Sequence, residues 1–371
     1  MLPKLKVTGR AEALRVRLRD IIASETMLVS SLEDIRWLIG FTGSAGTLVL
    51  RGQDMVFVTD GRYIDQARAQ ALLSGAEVEV REARSSSAHL DEIAEILKTQ
   101  EICGFDPAEV SVKNYEDYRG ALAPKLIPVG GLVKQLRRIK TESEIARIQA
   151  AAQATDQALA QVEPLLSEGV SEREIRDELE YRMRKHGADG PSYETIVATG
   201  QNGARPHHRP TDERIVEGDA VVIDVGALVD GYHSDMTRTY LIGDVDPMLA
   251  DMHRVVSEAQ IIGVSLIAPG VLCSDVDLAC RQYITDHGYG PEFLHGTGHG
   301  VGLQIHELPW VRKDFCEPLQ AGEVVTVEPG VYRRGFGGVR IEDLILVTQT
   351  GYRILTQSQK DKLCLPSPRM I

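Results

Sequence analysis

A chain of 371 residues is too long for one ordinary hydrophobic core and calls for about two domains. With 43% hydrophobic and 26% charged residues it reads as a soluble globular protein, and a net charge of −13 argues against a general nucleic-acid or anionic-membrane surface, local patches such as Arg333/Arg334 aside. No run reaches the roughly 18 apolar residues of a membrane span, no signal peptide opens the chain, and five scattered cysteines (Cys103, Cys273, Cys280, Cys316, Cys364) form no CxxC pair, so a cytoplasmic protein with free thiols is expected.

Residues 1–131 read as an α/β unit. Apolar runs at 47–50 and 55–59 predict a hairpin around Arg51-Gly52-Gln53-Asp54. A helix follows from about Arg62, with Ile64, Ala67 and Leu72 facing inward. The glycine-rich GFTGSAGT (40–47) invites a phosphate-loop reading, but no Gly-Lys-Ser/Thr follows, so a structural turn is expected. Pro124, Pro128 and Gly130-Gly131 mark a linker.

Beyond it a pattern begins and then repeats. TESE (141–144) is a capping box opening a helix with Ile145, Ile148 and Leu159 on its apolar side, and SERE (171–174) opens another that Gly187 ends. A Pro- and Gly-rich loop leads to EGDAVVIDVG (217–226). The second round opens with a helix near Pro247 carrying Met252, Val255, Ala259 and Ile262, stopped by Pro269-Gly270. Ser274-Asp-Val-Asp277 reads as the cap of the next helix, and AGEVVTVEPG (321–330) then restates the earlier strand. Ser171 precedes Asp224 by 53 residues and Ser274 precedes Glu328 by 54, the signature of an internal duplication facing itself across a pseudo-two-fold axis.

Each repeated strand is half of a hairpin with one acid outgoing and one returning: Asp224 and Asp235, then Glu328 and Glu342. A lone Asp at a strand end is usually a turn or cap residue. Four acids at duplicated positions need a common cause. Two like charges about 4 Å apart repel by roughly 4 kcal/mol at an effective dielectric near 20, so a converging quartet needs protons or cations, and oxygen-rich sites suit Mn²⁺ or similar ions. HGTGHGVGLQIH supplies His295, His299 and His306 between the hairpins. Its alternating glycines oppose a helical zinc pair and never complete G-x-G-x-x-G.

DVGALVDGYHSDMTRTY, HGTGHGVGLQIHE, VEPGVY and GGVRIED resemble the pita-bread metallopeptidases, in the Xaa-Pro aminopeptidase and Xaa-Pro dipeptidase (prolidase) branch. FTGSAG and TDGRY resemble that branch's creatinase-type N-terminal domain. The fold implied is an α/β creatinase-like domain (1–131) plus an α+β pita-bread catalytic domain with pseudo-two-fold duplication (132–371). The resemblance implies that Asp235 and Glu342 bridge two metals, that Asp224 completes one site and that His299 with Glu328 completes the other. Mn²⁺ is the expected metal, with Co²⁺ and Zn²⁺ as alternatives. Creatinase shares the fold but lacks this ligand set, so its metal-free chemistry is disfavoured.

The same resemblance places His207 and His306 as catalytic histidines with Glu328 as proton carrier, and His295 and Arg340 in the substrate pocket. Thr237 matches a residue supporting Asp235. The family usually has Gly after the Pro-His segment; His208 stands there and is read as a solvated loop residue. Asp34 matches a position near the site but is read first as a helix cap. The activity implied is Xaa-Pro aminopeptidase, water activated by the metal pair attacking the bond before proline, with prolidase as the alternative and a non-catalytic binding relative less favoured. Methionine aminopeptidase shares the ligands, but the large N-terminal domain and the Pro-His segment argue against it. Expected partners are small peptides with proline second, a second copy of the chain, and neither nucleic acid nor membrane.

Overall fold

The computed structural model describes residues 2–360 and the short strand at 364–365. The chain divides between Arg137 and Arg138. The N-terminal unit holds helices α1 (Arg10–Ile22), α2 (Leu32–Ile39), α3 (Ile64–Ser74), α4 (Ser86–Leu97), α5 (Val112–Ala121) and α6 (Leu132–Arg137). Its strands are β1 (Met27–Val29), β2 (Thr47–Arg51), β3 (Asp54–Thr59), β4 (Glu79–Glu82), β5 (Ile102–Phe105) and β6 (Lys125–Pro128), in one sheet ordered β4-β3-β2-β1-β5-β6. The hairpin of β2 and β3 is antiparallel, as its turn predicts.

Several local expectations need correction. In α3, Leu72 is 82% exposed; Ala67, Ala71 and Ser74 are buried instead. Positions 67, 71 and 74 share one face at helical spacing, and Leu72 falls off it. The segment expected to be a linker is β6, paired parallel with β5, and Gly131 N–H donates to Asp106 Oδ2 at 3.0 Å. Prolines are tolerated there because β6 is an edge strand. Ser31, not Asp34, caps α2. The buried Asp34 carboxylate instead meets Arg137 Nη1 at 2.8 Å. Burial pushes Asp34 up to about 6 despite that guanidinium.

The C-terminal unit shows the duplication. Its first round is α7 (Glu142–Val162) and α8 (Glu172–Lys185), then β7 (Gly190–Pro191), β8 (Ile196–Thr199), β9 (Ala220–Asp224), β10 (Ala227–Val229), β11 (Tyr232–His233) and β12 (Thr237–Ile242). Both capping boxes are formed, at Thr141/Glu144 and Ser171/Glu174. The second round is α9 (Pro247–Leu266) and α10 (Cys273–Asp286), then β13 (Gly298–Gly300), β14 (Glu307–Val311), β15 (Val324–Val327), β16 (Gly330–Arg333), β17 (Gly337–Arg340), β18 (Asp343–Val347) and β19 (Tyr352–Ile354), with β20 (Cys364–Leu365) beside β12. One sheet runs β20-β12-β9-β8 and the other β14-β13-β15-β18-β19.

Val221, Val222, Ile223, Val324, Val325 and Val327 are buried, each contributing about 1.5–3 kcal/mol of apolar burial, which is why the acid-bearing strands read as continuous apolar runs. The two rounds are stitched together where β12 meets the 340–343 segment. Glu342 N–H donates to Thr237 O at 3.1 Å, Thr239 Oγ1 to Arg340 O at 2.7 Å, and the fully buried Arg238 holds Asp343 at 2.8 Å. Cys103, Cys273, Cys280 and Cys316 are free thiols; the side chain of Cys364 lies outside the described residues. No helix among the described residues is long and apolar enough to cross a membrane.

Candidate metal centre

Each carboxylate of the quartet sits where an apolar strand runs out. Asp224 ends β9 opposite Thr237 on β12, and Asp235 lies just before β12. In the second hairpin Val327 faces Asp343, so Glu328 and Glu342 flank the end of that ladder. The glycine two residues past each outgoing acid is required by crowding. A Cβ on Gly226 would strike the Ser234 carbonyl, and one on Gly330 would strike the Tyr332 phenol.

His299 stands on β13 with its Nδ1 at 3.1 Å from Gly300 O. A carbonyl only accepts, so Nδ1 carries the proton of that bond and Nε2 faces the acids. Nε2 lies 3.5 Å from Asp235 Oδ2 and 3.3 Å from Glu328 Oε1. Asp235, His299 and Glu342, all buried, each present a donor atom within 4.8 Å of the others. Glu342 Oε2 accepts from the Thr237 hydroxyl at 2.7 Å, while its Oε1 is buried with no hydrogen-bond partner among the described residues. Thr237, two residues from Asp235, gives its hydroxyl to Glu342. Asp224 stands to the side: Oδ2 is 2.6 Å from Arg340 Nη2, and Oδ1 accepts from the Tyr193 hydroxyl, which also reaches Asp235 Oδ1.

Burial and then the charges of neighbouring acids drive Asp235 and Glu342 well above the usual carboxylate range. Burial also pushes Glu328 up, but the His299 hydrogen bond and charge outweigh it and hold Glu328 down to about 2. His299 is raised, its burial overcome by Glu328. Asp235, Glu328 and Glu342 around the His299 imidazole, with a buried Glu342 oxygen left unpartnered and Asp224 to one side, form a cradle that divalent cations fit.

A cavity of about 490 Å³ opens over this cluster, lined also by His207, His295, His306, Trp310 and Arg340. His207 and His306 are exposed to it, and the His306 ring centroid lies 4.3 Å from that of His299. Burial and then the adjacent His299 hold His306 below the usual histidine range. His295 Nε2 meets the Tyr332 hydroxyl at 2.9 Å, and Arg340 Nη1 donates to the same oxygen at 2.8 Å.

Two expectations fail here for physical reasons. His208 is not solvated: it is 5% exposed, with Nε2 2.8 Å from Glu172 Oε2. Asp277 does not cap α10, which starts at Cys273 with no side-chain cap. The buried Asp277 carboxylate accepts from Thr297 N and Oγ1 at 2.9 Å each, fixing the backbone that leads into His299. Tyr193 and Glu172 had no sequence signal, since each meets its partners across long stretches of chain.

The duplicated hairpins and the cation cradle between them define a metal-dependent hydrolase. The chain belongs to metallopeptidase family M24: the model of that family matches residues 146–349, and the model described as Creatinase/Prolidase N-terminal domain matches residues 10–139. The creatinase-type and pita-bread domains expected from the motifs are therefore present. The chain is 38% identical over 312 residues to a Pyrococcus furiosus protein named Xaa-Pro dipeptidase, covering 82% of this chain and 89% of the relative. Among solved structures it is similar to an Xaa-Pro dipeptidase from Bacillus anthracis, with TM-score 0.92 and 38% identity over 97% of this chain and 100% of that one. An X-Pro aminopeptidase from Thermotoga maritima is also similar, with TM-score 0.84 and 31% identity over 94% and 100%.

Proposed function

We propose that this chain is an Xaa-Pro dipeptidase, hydrolysing the bond between an N-terminal residue and a C-terminal proline with two Mn²⁺ ions. This revises the aminopeptidase expectation: a Pyrococcus furiosus relative at 38% identity bears the dipeptidase name, and among the solved structures the Bacillus anthracis dipeptidase, at 38% and TM-score 0.92, is more similar than the Thermotoga maritima aminopeptidase, at 31% and 0.84. The observation that carries the peptidase reading is the gathering of Asp224, Asp235, His299, Glu328 and Glu342 at the floor of one cavity beside His207 and His306.

Asp224, Asp235, His299, Glu328 and Glu342 would hold the two ions between them, Asp235 and Glu342 being the acids placed centrally enough to serve both. The cations supply Lewis acidity and lower the pKa of water. Glu328 takes a proton at a carboxylate oxygen and passes it to the leaving proline nitrogen. His207 and His306 donate to the oxygen on which negative charge develops. Arg340 and His295 shape the peptide end of the cavity.

The test is hydrolysis by Mn²⁺-reconstituted protein of an Xaa-Pro dipeptide and the matching Xaa-Pro-Xaa tripeptide. Cleavage confined to the dipeptide supports this assignment. Rapid tripeptide cleavage returns the chain to the aminopeptidases, and no cleavage of either by metal-loaded protein removes both.

A further inference from the structure

We propose that Glu172 and His208 form an anchor that positions His207 over the cation cluster, an inference that rests on the catalytic role assigned to His207 above. Glu172 is the first residue of α8 and is fully buried. Its carboxylate gathers the loop that carries His207 from both ends. Oε1 accepts from Thr199 N at 2.9 Å and Asn202 Nδ2 at 3.0 Å. Oε2 accepts from His208 Nε2 at 2.8 Å and from Thr211 N and Oγ1 at 2.8 and 2.7 Å. Five donors saturate a group with about four lone-pair sites, and the α8 N-terminus favours the negative charge.

His207 itself makes no hydrogen bond among the described residues. Its position over the cavity is set by the backbone on either side, where the Arg205 carbonyl accepts from His208 N–H at 3.1 Å. His207 is flanked by two held neighbours: the Pro206 carbonyl, which accepts from Arg340 Nη1 at 3.5 Å, and the buried ring of His208, seated on Glu172. Where the family pattern has glycine, this chain has a side chain that pins the turn. Glu172 does not line the cavity, and His208 borders it with its Nε2 spent on Glu172; they are positioning residues, acting through His207. A catalytic group displaced by about 1 Å loses on the order of 100-fold in rate, which sets the expected scale.

The experiment is a double-mutant cycle on the Mn²⁺-loaded enzyme with an Xaa-Pro dipeptide, combining His208→Ala with His207→Ala. His208→Ala alone is expected to lower kcat on the order of 10- to 100-fold, with KM and metal content unchanged, and to have no further effect in a His207→Ala background. His208→Gln, which keeps a donor for Glu172, is expected to restore most of the rate. Thr211→Val, the milder lesion if His208→Ala folds poorly, is expected to reduce kcat less, and again only when His207 is present. Losses that multiply independently of His207, or full activity in His208→Ala, overturn the anchor. In metal-free protein, where no paramagnetic Mn²⁺ broadens it, the imidazole Cε1–H resonance of His207, identified by its loss in His207→Ala, gives a readout free of turnover. It is expected to report an ordered ring in the wild type and a mobile one in His208→Ala or Thr211→Val. An unchanged resonance overturns the anchor, whereas a wild-type enzyme inactive on dipeptides overturns the assigned reaction and leaves this measurement decisive.

Discussion

Arg340 Nη2 lies 2.6 Å from Asp224 Oδ2, joining residues 116 positions apart from opposite halves of the duplication. Arg340 is 3% exposed and spends its other nitrogens on Thr237 Oγ1 at 3.0 Å and the Tyr332 hydroxyl at 2.8 Å. Its planar fork thereby fixes an acid, a supporting threonine and a pocket tyrosine at once. Arg340→Ala leaves Asp224 without its cation, and losing one member of such a pair costs about 3–5 kcal/mol. Denaturant unfolding of metal-free protein measures it. Arg340→Lys is expected to recover little, because an ammonium cannot address three directions in one plane.

Asp235→Asn separates metal binding from intrinsic stability. In metal-free protein the aspartate faces like charges in a buried cluster, so the neutral amide is expected to raise the melting temperature of the apo form. The same change removes a shared ligand, so metal content by elemental analysis and the metal-dependent gain in melting temperature are expected to vanish with activity. Two tightly held ions and a full rate in Asp235→Asn would contradict the ligand assignment. His306→Ala is the contrasting lesion, since it removes a cavity donor and no ligand. Metal content should hold while kcat falls by about 10²–10³-fold.

The acids of the site were legible because Asp224 and Glu328 end β-branched runs that restate each other about a hundred residues apart, each followed by a turn and a second acid, a pattern that local sequence carries even though Ser274 to Asp277 caps no helix. The helices of the catalytic unit were legible for the same reason. Tyr193, His208 and Asp277 were not: Tyr193 meets Asp235 42 residues away, His208 meets Glu172 36 residues away, and Asp277 meets Thr297 20 residues away. A buried polar side chain declares itself only through its partner, and nothing local marks which Asp or His has one. Leu72 fails in the opposite sense, an apolar side chain that helix α3 turns outward because smaller residues fill the face it packs with.

Stability of the loop anchor carries a pH dependence with a defined sign. Burial pushes Glu172 up, but hydrogen bonds from His208, Thr199, Asn202 and Thr211 more than offset it and leave the carboxyl below its usual value. A folded-state value below the unfolded one contributes stability above the ordinary glutamate pKa of about 4.3 and loses it as pH falls through the folded value. The melting-temperature gap between wild type and Glu172→Gln is therefore expected to be widest near neutrality and to close below about pH 4. A gap that widens toward acid would reverse the sign and sink this account.

Tyr193 offers the last test, because its single hydroxyl serves two acids. With its oxygen in hydrogen-bond range of both Asp224 and Asp235 and one proton to give to either, it bridges two carboxylates that repel each other, at the edge of a cradle that needs both. Burial, followed by the charges of Asp224 and Asp235, drives its phenol well above the ordinary tyrosine range, so it remains a donor at neutral pH. Tyr193→Phe keeps the ring and deletes only that donor. Loss of a hydrogen bond to a ligand typically weakens metal affinity or activity by about 10–100-fold, and competition against a chelator of known affinity is expected to show a loss on this scale. The apo protein should also lose stability, since the acids then repel without a shared proton donor between them. Unaltered metal affinity together with unaltered apo stability in Tyr193→Phe would show that the phenol is a bystander and that the aspartates are held by Arg340 and their own strands.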